Sequence, residues 1–323
     1  MKKYHQLLEE SFSGFSNSLP ENPSGLYEPI RYTLSIGGKR MRPLLTLIGA
    51  GLFSEDVTCA LNAAKGIELF HNFTLLHDDI MDNAPLRRGK QSVFTKWNSN
   101  IAILSGDAMH TEAVRQLAMS PKEILPEVLD IFTKTALQVC EGQQLDMDFE
   151  KLSTVSIDDY LNMIELKTSV LLAASLEIGA ICAGADKVEA KKLYEFGKHV
   201  GLAFQLQDDI LDVFGDANKF GKKVGGDIVA NKKTYLLLKA FELANQNQKD
   251  ELQHLSLFSE EDASKKIEAV KNIYDQLGVK KFAEDEMHKQ YQTGISALES
   301  VQVDSTKKSI LKNFTDELMV REN

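Results

Sequence analysis

The chain has 323 residues, an apolar share of 43% and a formal net charge of −10. That length suits one large domain or two ordinary ones, and the apolar share is ample for a core. The acidic balance excludes nucleic acid and anionic membrane as expected partners, because neither phosphate backbone nor anionic lipid attracts such a field.

All seven prolines fall at or before Pro126. The long remainder, without proline and with little strand-type alternation, predicts long helices. In chain order the pattern predicts a first amphipathic helix over residues 1 to 19, broken by LPENPSG, and a second over 27 to 35, stopped by Gly37 and Gly38. A third starts at Pro43, a residue suited to a first helical turn, and ends near Leu52. Helices follow over 59 to 81, 101 to 119, 122 to 148, 157 to 183 and 188 to 214, with a polar, basic loop over 83 to 99. After a glycine-rich basic loop come helices over 232 to 245, 263 to 277, 281 to 299 and 305 to 320. Residues 246 to 263 read as a polar, mobile connection. The expected fold is all-α, a single domain over residues 1 to 323 made of long, mostly antiparallel helices in a bundle. Cys59, Cys140 and Cys182 lie far apart with no CxxC, which predicts reduced core thiols in a cytoplasmic protein. No window approaches the length of a membrane span.

The helix over 59 to 81 ends in LLHDDIMD, where Asp78 and Asp82 stand four apart on one face. Like charges at that spacing weaken a helix by about 0.2–0.5 kcal/mol, and carboxylates at a helix C-terminus also oppose its dipole. One such cluster reads as a solvated acidic end. A second, FQLQDDILD, ends another helix-period run and repeats the spacing in Asp208, Asp209 and Asp212. Two copies call for a cation. Mg²⁺ takes oxygen ligands and is held by one or two carboxylates while substrate phosphates complete its shell, so paired clusters suit a Mg²⁺–diphosphate complex.

Bases lie close in sequence to both clusters. Arg87 and Arg88 follow the first, and Lys222, Lys223 and Lys232 follow the second; such forks and point charges match phosphate oxygens. A further basic knot, GGKRMRP with Lys39, Arg40 and Arg42, reads alone as a solvated helix start and, beside two metal clusters, as a second phosphate pocket. Two phosphate sites, one of them metal-bound, point to two diphosphate substrates, one ionised and one retained.

These residues resemble the trans-isoprenyl diphosphate synthases, or polyprenyl synthetases. The resemblance covers roughly residues 26 to 235 and rests on GGKRMRP, ELFHNFTLLHDDIMD followed by RRGK, LSGDAM, GQQLD, KTSVLL, FQLQDDILD and GKKVGGDIVANKKT, in that order. It implies a bundle around a deep central cavity, working as a homodimer. It further implies that Asp78, Asp79 and Asp82, with Asp208, Asp209 and Asp212, ligate Mg²⁺ on an allylic diphosphate, roughly three ions per active site, with Mn²⁺ able to substitute. By the same resemblance Arg87, Lys167 and Lys232 bind that diphosphate, with Lys222 assisting. Lys39, Arg42, His71 and Arg88 hold isopentenyl diphosphate, Thr168 and Gln205 line the reaction centre, and Asp227 supports the second metal site. The implied reaction is ionisation of dimethylallyl, geranyl or farnesyl diphosphate, attack by the double bond of isopentenyl diphosphate, and proton loss.

Product length is expected to depend on Phe73, Thr74 and Phe70, upstream of Asp78. At about 100° per residue Thr74 and Phe70 lie near the azimuth of Asp78, whereas Phe73 is about 140° away, so periodicity alone does not nominate Phe73. These aromatics read equally as core packing. In the family, an aromatic five residues before the cluster accompanies early termination, which favours C20 over C15 here. Two rivals remain: a terpene cyclase of the same fold, and a di-iron carboxylate bundle, for which Glu68 with His71 and Glu251 with His254 have the Glu-x-x-His spacing.

Overall fold

Helix boundaries follow the punctuation of the sequence closely. The computed structural model describes residues 1–215 and 224–319, and these are all-α apart from one two-residue hairpin. The elements are α1 (Lys2–Ser18), α2 (Ser24–Ser35), α3 (Met41–Phe53), α4 (Leu61–Met81), β1 (Leu86–Arg87), β2 (Lys90–Gln91), α5 (Val93–Lys96), α6 (Ser99–Leu117), α7 (Leu125–Lys151), α8 (Ile157–Ile164), α9 (Val170–Cys182) and α10 (Lys187–Phe214). Helices Gly226–Val229, Tyr235–Leu243, Gln246–Leu255, Ala263–Leu277, Val279–Glu299 and Ser305–Met319 complete the described chain.

The chain divides into two units, each with its own core. The first comprises Met1–Lys134, Ala174–Tyr194 and Gln302–Ile310. In it α4 packs most extensively on α6 and also on α3 and α1. Two glycines allow the α4–α6 approach: a Cβ on Gly66 would stand 2.8 Å from the Ala113 carbonyl oxygen, and one on Gly106 would stand 2.5 Å from His77 Nε2. Leu44, Leu47, Ile67, Leu69, Phe70 and Phe132 are buried here, each worth about 1.5–3 kcal/mol relative to exposure. The second unit comprises Thr135–Ala173, Glu195–Val301 and the chain from Leu311. Its core gathers Tyr160, Met163, Leu202, Leu206, Ile210, Leu236 and Tyr274.

Four expectations are corrected. The basic loop over 83 to 99 contains the β1–β2 hairpin, turned at Arg88 and Gly89 with φ of 53° and 75°, the pair of positive angles that a tight antiparallel turn requires. The helix over 157 to 183 is interrupted by a π-helical segment, Glu165–Ser169, between α8 and α9. Residues 246 to 255 are helical rather than a mobile connection: Asn245 and Gln248 cap one another reciprocally at 3.1 Å, and Leu252 and Leu255 are buried beneath a polar exterior. Finally, Cys59 and Cys140 are free and exposed and Cys182 is half-buried, so none is a core thiol. The glycine-rich basic loop, Lys222 included, lies largely outside the described residues.

Candidate active site

The first cluster caps α4. Asp82 is the C-cap and its N–H bonds to the Asp78 carbonyl at 2.9 Å, so the three aspartates share one turn. Their side chains then diverge. Asp79 is buried and accepts from Arg87 Nε at 2.9 Å and Nη2 at 2.5 Å, while Nη2 also lies 3.5 Å from Asp78 Oδ2. Asp78 is half-buried and Asp82 exposed. Burial raises the pKa of Asp79 and Arg87 opposes the rise; the same carboxylates hold Arg87 above its ordinary value against burial. The hairpin turn is what brings Arg87 back over the helix end.

The same turn sends Arg88 the other way. Its guanidinium lies against Gly38, where any Cβ would collide with it; Gly37 and Gly38 have φ of 79° and 139°. Arg42, on the first turn of α3, meets His71 of α4, with Nη1 and Nε2 3.1 Å apart. Lys39 is exposed on the same bend. Arg40 is diverted from this group: it pairs with Glu9 at 3.0 Å and stacks over Phe12. Beneath the bases lies Glu68, 4% exposed, with Oε1 accepting from Asn72 at 3.1 Å and Oε2 unbonded. Burial raises the Glu68 pKa against the pull of Asn72 and Arg42. Burial draws Arg42 down to about 10, with Glu68 opposing and Arg88 adding. Burial, reinforced by Arg42, Arg88 and Arg87, holds His71 well below the usual imidazole range, so it is neutral. An assembly of bases with one buried carboxylate is suited to an anion.

Upstream on α4, Phe70 and Phe73 belong to one aromatic group. Their centroids are 5.6 Å apart; Phe132 lies 5.2 Å from Phe70, and His110 of α6 lies 5.2 Å from Phe73 and 5.8 Å from Phe70. His77 closes on Phe73 at 4.7 Å. Phe70 is buried and Phe73 half-buried, so packing rather than azimuth brings the two together. Thr74 turns its hydroxyl onto the His71 carbonyl at 2.8 Å.

In the second unit the middle aspartate is again the one turned inward. Asp209 is buried, accepts a short hydrogen bond from the Tyr160 hydroxyl, and accepts from Gln205 Nε2 at 3.2 Å. Burial pushes its pKa up to about 7, with Tyr160 opposing, Asp227 adding and Lys232 opposing. Asp208 is exposed. Asp212 spends Oδ2 on the Asp227 N–H at 2.9 Å, and its carbonyl accepts from Gly225 at 2.6 Å. The π segment presents two further groups: Lys167 pairs with Asp146 at 2.5 Å, and the Thr168 hydroxyl lies 3.4 Å from Gln205 Oε1. Gly142 of GQQLD makes room for this segment, since a Cβ there would strike the Lys167 backbone. Lys232 is exposed, and its N–H holds the Asp227 carbonyl at 2.9 Å.

Among the described residues no three His, Cys, Asp or Glu side chains converge into a metal cage. Mg²⁺ does not require one: each cluster supplies hard oxygen donors at a helix end, and a cation that keeps waters and substrate oxygens fits that set. The di-iron alternative is not supported by the placement of its pairs. Glu251 and His254 are exposed, His254 stacks on Phe258, and His71 is engaged by Arg42. Tyr160, Asp146, His110 and His77 are not nominated as site residues by the sequence, and Glu68 enters there only as the partner of His71 in a Glu-x-x-His pair. Asp146 lies in GQQLD and Glu68 and His77 lie in ELFHNFTLLHDDIMD, whereas Tyr160 and His110 fall outside the quoted motifs. No described helix is long and apolar enough to cross a membrane.

The polyprenyl synthetase family pattern matches residues 23–277. The chain is 42% identical over 224 residues to a geranylgeranyl pyrophosphate synthase of Geoglobus acetivorans, covering 69% of this chain and 70% of that one. It is 39% identical over 244 residues to a geranylfarnesyl diphosphate synthase of Natronomonas pharaonis, covering 70% and 72% respectively. A crystal structure of a geranylgeranyl pyrophosphate synthase superimposes with a TM-score of 0.92 at 45% identity, over 98% of each chain.

Proposed function

The chain belongs to the polyprenyl synthetase family, and from that membership we propose that it condenses isopentenyl diphosphate with an allylic diphosphate to give short all-trans products, C20 favoured over C15. It is a prenyltransferase. The observation that carries the site reading is the shared design of the two clusters. Each commits its middle aspartate to a neighbour, Asp79 to Arg87 and Asp209 to Tyr160, and keeps an exposed aspartate, Asp82 or Asp208, beside it.

In this reading Asp78, Asp79, Asp82, Asp208, Asp209 and Asp212 would hold Mg²⁺, although one oxygen of Asp79, one of Asp212 and both of Asp209 already accept hydrogen bonds from the protein. Bound Mg²⁺ supplies Lewis-acid charge to the departing pyrophosphate. Arg87, Lys167 and Lys232 bind the allylic diphosphate and stabilise the charge that develops on it, and Asp146 orients Lys167 until substrate arrives. Lys39, Arg42, Arg88 and neutral His71 hold isopentenyl diphosphate, whose double bond attacks the allylic cation; the proton then leaves to the released pyrophosphate. Thr168 and Gln205 line the reacting carbons, Asp227 steadies Asp212, and Lys222 assists from the segment outside the described residues. Phe73, Phe70 and Thr74 set where elongation stops. The chain acts in the cytoplasm as a homodimer, a reading supported by its free thiols and by exposed Ile103 and Leu104 on α6.

The test is incubation of the purified protein with Mg²⁺, isopentenyl diphosphate and each of the C5, C10 and C15 allylic diphosphates, followed by sizing of the products. Hydrocarbon released from an allylic diphosphate alone would indicate a cyclase and overturn the reading. So would condensation that survives a chelator.

A further inference from the structure

Lys266 is a buried cation outside every role assigned above. It stands on helix Ala263–Leu277 and is 2% exposed. Its ammonium donates to the Val229 carbonyl at 3.0 Å and to Asn231 Oδ1 at 2.7 Å. Both acceptors are neutral, and among the described residues no carboxylate pairs with it. A lysine is seldom buried without a countercharge, so its contacts need to satisfy it fully.

The two acceptors bracket an unusual turn. Val229 closes helix Gly226–Val229, and Asn231 follows with φ of +55°, a left-handed conformation that a non-glycine residue holds only when its surroundings impose it. Asn231 is held on both sides, Oδ1 by Lys266 and Nδ2 by the Ser256 carbonyl at 3.0 Å. A small cavity of about 50 Å³, lined in part by Asn231, Lys232 and Lys266, lies beside the turn, and Ile228 just before it is buried in the core. The next residue is Lys232, whose N–H reaches the Asp227 carbonyl and whose own carbonyl accepts from Thr234, both at 2.9 Å. Asp212 thus anchors the start of this segment through Asp227, and Lys266 anchors its end.

We infer that Lys266 is a positioning residue: its ammonium fixes the Val229–Asn231 turn and thereby sets where Lys232 is presented to the allylic diphosphate. The inference rests on the reading of Lys232 as a ligand of that diphosphate.

Lys266→Met keeps the length of the side chain and removes its donors; Lys266→Arg keeps the donors. Amide exchange of the peptide spanning residues 226–234 should accelerate about tenfold or more in Lys266→Met, with the α4 peptide unchanged, because the hydrogen bonds of a charged donor are lost from this turn alone. The KM for the allylic diphosphate should rise about tenfold while that for isopentenyl diphosphate stays within about twofold, and Lys266→Arg should recover most of the loss. Unchanged exchange in a folded Lys266→Met protein, accelerated exchange throughout the chain, or parallel rises in both KM values would overturn the inference. Lys232→Met separates the two layers. If it leaves the allylic KM unaltered, the reading of Lys232 falls and takes the inference with it. If it raises that KM while Lys266→Met does not, the Lys266 step alone falls.

Discussion

Arg87 reaches back to Asp79 and donates to a single carboxylate oxygen from both Nε and Nη2, at 2.9 and 2.5 Å. A doubly held, buried oxygen is a poor candidate for a labile ligand, so the three aspartates of the first cluster are not equivalent. The β1–β2 hairpin, turned at Arg88 and Gly89 with positive φ, carries Arg87 in its first strand to this contact.

Asp78→Asn and Asp82→Asn should therefore behave differently from Asp79→Asn. Removing either outer carboxylate should raise the Mg²⁺ concentration at half-maximal rate about tenfold or more, with little change in melting temperature. Asp79→Asn leaves Arg87 with the longer contact to Asp78, at 3.5 Å, and should cost about 1–3 kcal/mol of stability, read as a lower urea midpoint at unchanged slope. Equal shifts of Mg²⁺ dependence in all three variants would refute the division of labour.

The sequence made the helices and both aspartate clusters legible because each is local: a 3.6-residue apolar period, a proline or glycine at the boundary, and carboxylates four apart. It did not reveal that Asp79 and Asp209 point inward, because Arg87 and Tyr160 reach them from other elements. The π segment was hidden for the same reason. KTSVLL has an unbroken helical pattern, and the extra residue in the turn is tolerated where Gly142 and Gly201 clear the backbone around Lys167 and Ser169. Helix Gln246–Leu255 leaves little mark in the sequence because only Leu252 and Leu255 are buried, too few to set a period.

Gly142→Ala tests that account. A single methyl group would meet the Lys167 backbone, and neither main chain can give way cheaply. The expected cost is about 1–3 kcal/mol, with a fall in kcat larger than that of an alanine placed at exposed Glu141. Activity and urea midpoint equal to the parent protein would show that the π segment adjusts without loss.

His71 gives the pH prediction. Burial and the neighbouring Arg42, Arg88 and Arg87 depress its native pKa, so above the unfolded value near 6.5 both states are neutral and His71 adds no pH dependence. As pH falls below about 6.5 the unfolded chain takes up a proton that the native site refuses, and stability drops by at most about 1.4 kcal/mol per pH unit from this residue. Glu68 faces the same bases and has the opposite bias, its raised pKa favouring the native state as pH falls. The comparison must therefore be made against His71→Gln, which keeps Glu68 in place. Urea unfolding at pH 7.5 and 5.5 should show a smaller acid loss in His71→Gln than in the parent; identical losses would remove His71 as the cause.

The aromatic group on α4 and α6 leads to the last prediction. Phe73 is half-buried, and its ring is held by His110 at 5.2 Å and His77 at 4.7 Å, while His77 is fixed in turn by the Ile103 carbonyl at 3.2 Å. A stop for a growing apolar chain must be bulky and also unable to swing aside, and edge-to-face contacts of this kind supply the second property. Phe73→Ala should therefore shift the products toward longer chains. His110→Ala should do so partially, because it frees the Phe73 ring without removing it. Phe70→Ala, at a residue 1% exposed and packed against Phe132, should instead cost about 3–5 kcal/mol of stability. Sizing the products of the three variants with farnesyl diphosphate as starter, beside their urea midpoints, distinguishes the roles. If His110→Ala gives the parent's product lengths while Phe73→Ala lengthens them, bulk alone sets the stop and the histidine contacts do not contribute.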